Sequence, residues 1–248
     1  MNTTTLDKMR QLKFFGMLRA FQTSLSNEKL NELTPDELIS FLIESEWDDR
    51  HNRAIQRLIK NAGFKYKASL EDLNYDNNRN LNKNQILRFG ECDFIKKCEN
   101  ILITGSTGIG KSYLASAIGH HACMLGFRVV YINTSKLFAK MKIAKADGSY
   151  LREMARMERQ DLLILDDFGL QPLDNQNRLT LLELIEDRNE KGSVIITAQI
   201  PVSHWHEIIG ESTVADAILD RIVHNAQRVE LKGESLRKIM KANKNEKN

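Results

Sequence analysis

One stretch constrains this chain more than any other. It is Asn100-Ile-Leu-Ile-Thr-Gly-Ser-Thr-Gly-Ile-Gly-Lys-Ser112. An apolar run of strand character leads straight into a glycine-rich turn, and the turn opens the helical stretch KSYLASAIGHHA. The turn fits the G-x-x-x-x-G-K-[ST] pattern. Its glycines let backbone N–H groups turn inward around phosphates, and the helix N-terminus adds its partial positive charge. Gly105, Ser106, Thr107, Gly108, Ile109, Gly110, Lys111 and Ser112 are therefore the candidate nucleotide-binding residues. Lys111 would reach the β- and γ-phosphates, and Ser112 would ligate Mg²⁺. A nucleoside triphosphate and Mg²⁺ are the expected cofactors.

The surrounding pattern predicts the fold. Apolar runs at 100–104, 127–132, 161–166 and 193–198, and a weaker one at 227–231, alternate with helical stretches at 111–125, 135–159, 174–190 and 203–224. The helix at 135–159 is expected to break near Asp147-Gly148, and the one at 203–224 to run in two pieces. Strands that are apolar throughout are buried on both faces, as in parallel sheets. The expectation is an α/β fold with a five-stranded parallel sheet. No apolar run approaches the ~18 residues of a membrane span, and the start lacks the pattern of a secretory signal. Cys92, Cys98 and Cys123 fit no zinc spacing and read as reduced thiols. A cytoplasmic protein with no membrane partner is expected.

Ahead of the sheet lies a different composition. Residues 1–31 have helical spacing of apolar positions. Thr34-Pro35-Asp36-Glu37 is a capping box with proline at the first helical position, and the helix it opens should reach Ala62, with Gly63 just past its end. Arg50, Arg53, Arg57 and Lys60 fall on one face of that helix, either a solvated face or a partner surface. Residues 64–83 lose periodicity and gain Asn and Asp. The expected division is a helical domain over 1–66, a linker over 67–83 and the α/β domain over 84–248.

A second acidic element follows in LLILDDFG, residues 162–169. Its strand delivers Asp166 and Asp167 to the carboxyl end of the sheet, where α/β ligands bind. Asp166 would hold Mg²⁺, and Asp167 would polarise the attacking water. With these residues in order, the chain resembles the AAA+ ATPases of the initiator and helicase-loader clade. The similarity is strongest to the IstB-type helpers of DNA transposition and next to the DnaC-type helicase loaders. The run ITAQIPVSHWHEIIG, then ADAILDRIVHNA and LKGESLRK, carries it more specifically than the phosphate loop does, and LKFFGMLRAF and LTPDELISFLIESEWDDRHNR look like the family's small helical N-terminal domain.

The resemblance implies roles for further residues. Gln199 falls at the end of the fourth strand, where an amide orients the lytic water; Thr197 is a weaker candidate for that place. Arg221 falls where the family supplies an arginine to a neighbouring subunit's nucleotide, the alternative being a surface arginine paired within its own helix. Arg237 resembles the arginine that reaches the γ-phosphate in the same chain, although the C-terminal lid must be short or absent. Many relatives of the wider class carry Asp-Glu where this chain has Asp166-Asp167. The shorter side chain points to slow hydrolysis suited to a switch, or, at the limit, to a nucleotide-gated scaffold without turnover.

Net charge is only +3, but it is unevenly spread. Residues 136–159 hold seven Lys/Arg against three Asp/Glu, and residues 232–248 hold six against two. Lys136, Lys140, Lys142 and Lys145 are the candidate nucleic-acid contacts, suited to phosphates rather than bases; a solvated helix is the alternative. His204 and His206 have no further ligands nearby. The resemblance implies ATP-dependent self-association on double-stranded DNA and help to a cognate transposase. A helicase loader acting in replication is the alternative.

Overall fold

The computed structural model describes residues 2–26, 33–75 and 79–236. The chain divides into two compact units, Met1–Arg57 and Leu58–Asn248.

In the first unit, helix α1 spans Asn2–Gln11 and α2 spans Phe15–Ser26. The expected single helical stretch breaks because Lys13 adopts a left-handed conformation, φ 60°. The amide of Phe14 then donates back to the carbonyl of Met9 at 2.9 Å, closing the last turn of α1. Helix α3, Pro35–Ala62, starts at the expected capping box. The Thr34 amide donates to Glu37 Oε2 at 2.8 Å, and the Glu37 amide donates to Thr34 Oγ1 at 3.3 Å.

The acidic middle of α3 serves α2. Glu46 is buried, and its Oε2 accepts from the amides of Gly16 and Met17 at 2.8 and 3.2 Å, the first turn of α2. Arg50 donates to Glu46 Oε1 at 2.6 Å. Burial pushes the Glu46 carboxyl up, but Arg50 and the two amides outweigh it and hold the group below its ordinary value. The guanidinium of Arg50 also lies over the Phe14 ring at 5.4 Å, and that of Arg53 over Phe15 at 5.3 Å. Two of the four cations of the expected basic face are thus engaged within this unit.

The second unit holds a five-stranded, all-parallel sheet in the order β2-β3-β4-β1-β5. Its strands are β1 Asn100–Thr104, β2 Val129–Asn133, β3 Leu162–Phe168, β4 Ser193–Ala198 and β5 Ala226–Glu230. Side chains alternate between two cores. Ile101, Ile103, Leu162, Ile164 and Ile195 face one, and Leu102, Leu163, Leu165, Val194 and Ile196 face the other. Helices α4 (Lys83–Gly90), α5 (Asp93–Lys96) and α6 (Lys111–Met124) contribute to the first core. Helices α7 (Thr134–Asp147), α8 (Tyr150–Glu158), α9 (Asn175–Arg188), α10 (Trp205–Ile209) and α11 (Ser212–Val223) contribute to the second. The break between α7 and α8 falls at Gly148, φ 77°.

The expected linker is part of this unit. Leu73 and Leu81 are buried in the first core, with Leu70 and Tyr75 packed against it. Asn80 Nδ2 donates to the Glu230 carbonyl at 2.8 Å beside the end of β5. The contact boundary therefore lies at Arg57/Leu58, within α3, and not at residue 66. Extended coil shows no helical or strand period, so its burial leaves no pattern in the sequence. Cys92 and Cys123 are fully buried, and burial pushes their thiols up to about 11 and about 12. Among the described residues no helix is long and apolar enough to cross a membrane.

Gly16 allows α2 to approach α3. A Cβ there would lie 2.2 Å from the Ser45 carbonyl oxygen and 2.6 Å from Glu46 Cα, both backbone atoms. Gly16→Ala is expected to lose about 1–3 kcal/mol of the first unit's stability, as overpacking against backbone does. Urea unfolding followed by Trp47 fluorescence in a Trp205→Phe background, which leaves one tryptophan, checks this; an unchanged midpoint for that probe would contradict the close approach.

Candidate functional site

The carboxyl ends of β1, β3 and β4 meet at one edge of the sheet. Thr104 pairs with Ala198, and Asp166 pairs with Asn133 at the end of β2. From Thr104 the chain runs through Gly105–Gly110 into α6, whose N-terminus has no side-chain cap. Gly105 and Gly108 have φ 142° and 82°, and a Cβ on Gly105 would lie 2.4 Å from the Leu231 carbonyl oxygen. Ile109 is buried in the first core and anchors the loop. Lys111 Nζ donates to the carbonyls of Gly105 and Ser106 at 2.7 and 2.8 Å, which puts the ammonium inside the turn. Burial lowers the Lys111 pKa, and the charges of Asp167 and Asp166 offset this only in part.

Asp166 is fully buried, and four side chains face its carboxylate. Ser112 Oγ and Thr197 Oγ1 donate to Oδ1 at 2.7 and 2.6 Å. The Tyr131 hydroxyl donates to Oδ2, and Lys65 Nζ lies 3.5 Å from the same oxygen. Burial raises the Asp166 pKa, but the bonds from Thr197, Tyr131 and Ser112 and the Lys65 charge prevail, so it falls below the ordinary value. Burial, and donation to the Asp166 anion, push the Tyr131 phenol up.

Asp167 sits in a bulge. The pairing of β3 with β4 shifts between Leu165 and Phe168, and Asp167 is left-handed with φ 59°. Its amide donates to Thr197 Oγ1 at 3.0 Å, and its Oδ2 accepts from Asn133 Nδ2 at 3.2 Å. Gln199, just past β4, accepts at Oε1 from Thr107 Oγ1 of the phosphate loop at 2.7 Å. The structure thus brings together Lys111, Ser112, Asp166, Asp167 and Gln199. It also adds Lys65, Tyr131, Asn133 and Thr197. Thr197, in the sequence a weaker candidate for the place of Gln199, bonds the acidic pair instead. Tyr131 and Asn133, at alternate positions of β2, carry no motif.

Past β5, the Leu236 amide donates to the Gly108 carbonyl at 3.0 Å. The GESLRK segment therefore reaches the phosphate loop, although Arg237 itself lies outside the described residues.

Arg221 lies elsewhere. Asn100, the first residue of β1, donates to the Arg221 and Ile222 carbonyls at 3.2 Å, so Arg221 stands at the opposite end of the sheet from the phosphate loop. Five strand residues, about 16 Å, separate the two ends. Its guanidinium bonds Ala217 O at 2.7 Å and Glu186 Oε1 at 2.8 Å, and it is part-exposed on the wall of a cavity of about 680 Å³. Asp216, on the same helix, lies 3.3 Å from His206 Nε2 instead.

The four lysines of α7 do not form one stripe. Lys136 and Lys140 are about 40° apart around the helix, while Lys142 and Lys145 lie on the other side. Lys140 is ion-paired with Glu153 at 2.5 Å. Lys145 donates to Thr180 Oγ1 at 3.2 Å and lies 4.6 Å from the Tyr150 ring centroid. Lys136 and Lys142 are exposed, and Lys142 lines a cleft that also reaches Asp167.

A parallel sheet in this order, with a phosphate loop after β1 and an acidic pair near the end of β3, defines a P-loop fold of the AAA+ type. The chain belongs to the family of IstB-like ATP binding proteins, whose model matches residues 7–244. A protein of Sinorhizobium fredii assigned as an insertion sequence ATP-binding protein is 44% identical over 94% of this chain and 96% of its own length. The protein assigned as the ATP-binding protein of insertion sequence IS21 in Pseudomonas aeruginosa is 28% identical over 92% of this chain and 86% of its own. Among solved structures, the DnaC helicase loader shares the fold with TM-score 0.55 and 21% identity, over 67% of this chain and 98% of its own. DnaA from Aquifex aeolicus, bound to AMPPCP, gives TM-score 0.58 and 20% identity, over 74% and 56%.

The hydroxyl of Thr197 serves both aspartates, and its removal has a defined pH signature. Asp166 titrates lower in the folded chain than unfolded. Its stabilisation is therefore complete above the ordinary carboxylate value of about 3.9 and is lost as pH falls through the lower folded value. Thr197→Val is expected to cost about 1–3 kcal/mol at pH 7 by stranding a buried acceptor and an amide. The difference from wild type should narrow as the pH is taken below about 4, read by urea denaturation across pH; a constant difference would contradict the assignment.

Proposed function

We propose that this chain is an ATP hydrolase that assembles on double-stranded DNA in its ATP state and assists a transposase. The observation that carries the assembly is the placement of Arg221. Among the described residues the other groups suited to phosphoryl transfer lie at the carboxyl edge of the sheet, whereas Arg221 lies at the opposite end and cannot reach the same chain's nucleotide. If Arg221 acts on a nucleotide, that nucleotide belongs to a neighbouring copy. The insertion-sequence relatives support the role in transposition; the helicase-loader alternative has the fold alone in its favour.

The site has the donors such a reaction needs. Mg²⁺, held by Ser112 and Asp166, would withdraw charge from the phosphate oxygens. Lys111 and the loop amides would hold the β- and γ-phosphates once the ammonium exchanges the Gly105 and Ser106 carbonyls for them. Asp167 would orient water and take its proton, Asn133 holds the Asp167 carboxylate, and Gln199 would meet the terminal phosphate or the water. Arg237 is the residue after Leu236, whose amide donates to the Gly108 carbonyl, and is proposed to reach the γ-phosphate. Lys136 and Lys142 are proposed to bear most of the DNA backbone contact, since Lys140 and Lys145 already have partners.

ATP turnover with DNA tests this reading. Asp167→Asn should lower turnover by about 10²-fold or more, and Arg221→Ala by on the order of 10³ while ATP still binds. Mixing Arg221→Ala with Lys111→Ala should recover part of the activity, because mixed interfaces restore complete sites. Light scattering should show an ATP-dependent assembly that grows on duplex DNA, and Lys136→Glu with Lys142→Glu should weaken DNA binding and flatten its salt dependence. A strict monomer under all conditions, or no recovery on mixing, would overturn the shared site.

A further inference from the structure

Lys65 belongs to no motif, yet its ammonium lies 3.5 Å from Asp166 Oδ2 and 3.7 Å from Asp167 Oδ2. It follows Gly63, φ 73°, where the chain leaves α3. The residues on either side are held. Phe64 packs over Gly119, where a Cβ would come within 2.7 Å of the ring, and it meets the Tyr131 ring edge-on at 6.3 Å. The Tyr66 ring lies 6.2 Å from that of Tyr113 in the first turn of α6. Lys65 itself is 5.7 Å from the Tyr66 ring centroid. Its side chain is 41% exposed, so the ammonium can leave without unfolding anything around it.

The two oxygens of Asp166 have separate duties. Oδ1 faces Ser112, the hydroxyl suited to Mg²⁺, while Oδ2 faces Lys65 together with Asp167. Two carboxylates on consecutive residues repel each other and jointly attract a cation. With one ammonium 3.5 and 3.7 Å from their oxygens, the pair carries a single negative charge, and Lys111 is near enough to feel both aspartates. A divalent ion gains too little there until phosphate oxygens bring further negative charge.

We propose that Lys65 is a resident counter-cation of the acidic pair, which keeps a divalent metal out of the site until a triphosphate arrives to share it. Metal loading is thereby tied to nucleotide loading. The proposal rests on the nucleotide-site reading above. Lys65 acts through the aspartates and is a positioning residue.

Mn²⁺ binding to the full-length chain, followed by the electron paramagnetic resonance of free Mn²⁺, tests it without turnover. Without nucleotide, Lys65→Met should bind Mn²⁺ about tenfold more tightly than wild type, the lower end of what one neighbouring charge does to a carboxylate's cation affinity. Lys65→Arg should behave as wild type. With AMPPCP present, wild type and Lys65→Met should converge, and Lys111→Ala should lose the nucleotide-dependent binding. Nucleotide-free binding by Lys65→Met that is weaker than, or within twofold of, wild type overturns the role of Lys65. If AMPPCP-dependent Mn²⁺ binding persists in that case, the nucleotide site stands and only the counter-cation fails. If wild type shows no AMPPCP-dependent binding, the nucleotide-site reading fails with it.

Discussion

A carboxylate sealed inside a protein is tolerable only where donors meet it, and Asp166 is such a group. Its four donors come from four places in the chain. Ser112 starts α6, Tyr131 sits in β2, Thr197 ends β4, and Lys65 follows α3. Those elements must be in register for the anion to be paid for. The parallel order β2-β3-β4-β1 does this, since it sets β3 between β2 and β4 and puts the phosphate loop one strand farther on. Placement of the site and correctness of the sheet are thus one condition. A slipped register would leave a buried charge with missing partners, among the costliest errors a fold can make.

The same carboxylate ties the loop to the strand behind it. Ser112 bonds Asp166 while Lys111 turns back into the loop. Both contacts are of the kind a metal and phosphates would replace. This suits a site that must be shaped before loading but must not be inert. Lys65 extends the pattern to the second aspartate.

Much of this was legible in the sequence. The bounds of β1 and β4 match their apolar runs, the α7–α8 break falls at the expected Gly148, and the capping box at Thr34 forms. Each is a local property, written in periodicity or in one residue's special conformation. What was not legible is non-local. Tyr131 and Lys65 lie 35 and 101 residues from Asp166, and nothing in their own neighbourhoods marks them. Residues 67–83 read as a linker because aperiodic coil looks the same whether or not it is buried. Lys140 and Lys145 read as candidate nucleic-acid contacts because the sequence shows a charge without its partner; Glu153 and Thr180 decide what those lysines can do.

Asp167 shows how backbone and side chain must be read together. Judged by side-chain length, an aspartate in place of glutamate leaves the carboxylate one methylene short of a phosphate. The backbone alters that comparison. Residue 167 lies in a bulge at φ 59°, a conformation that Asp tolerates better than longer side chains because a short polar group can bond locally. Its amide is taken by Thr197 and its carboxylate by Asn133, so the left-handed turn is fixed from both sides. A glutamate here would gain reach and meet a conformation that suits it less. The shorter acid and the bulge are therefore one feature, and reach toward the nucleotide depends on where the bulge aims the Cβ as much as on the number of methylenes.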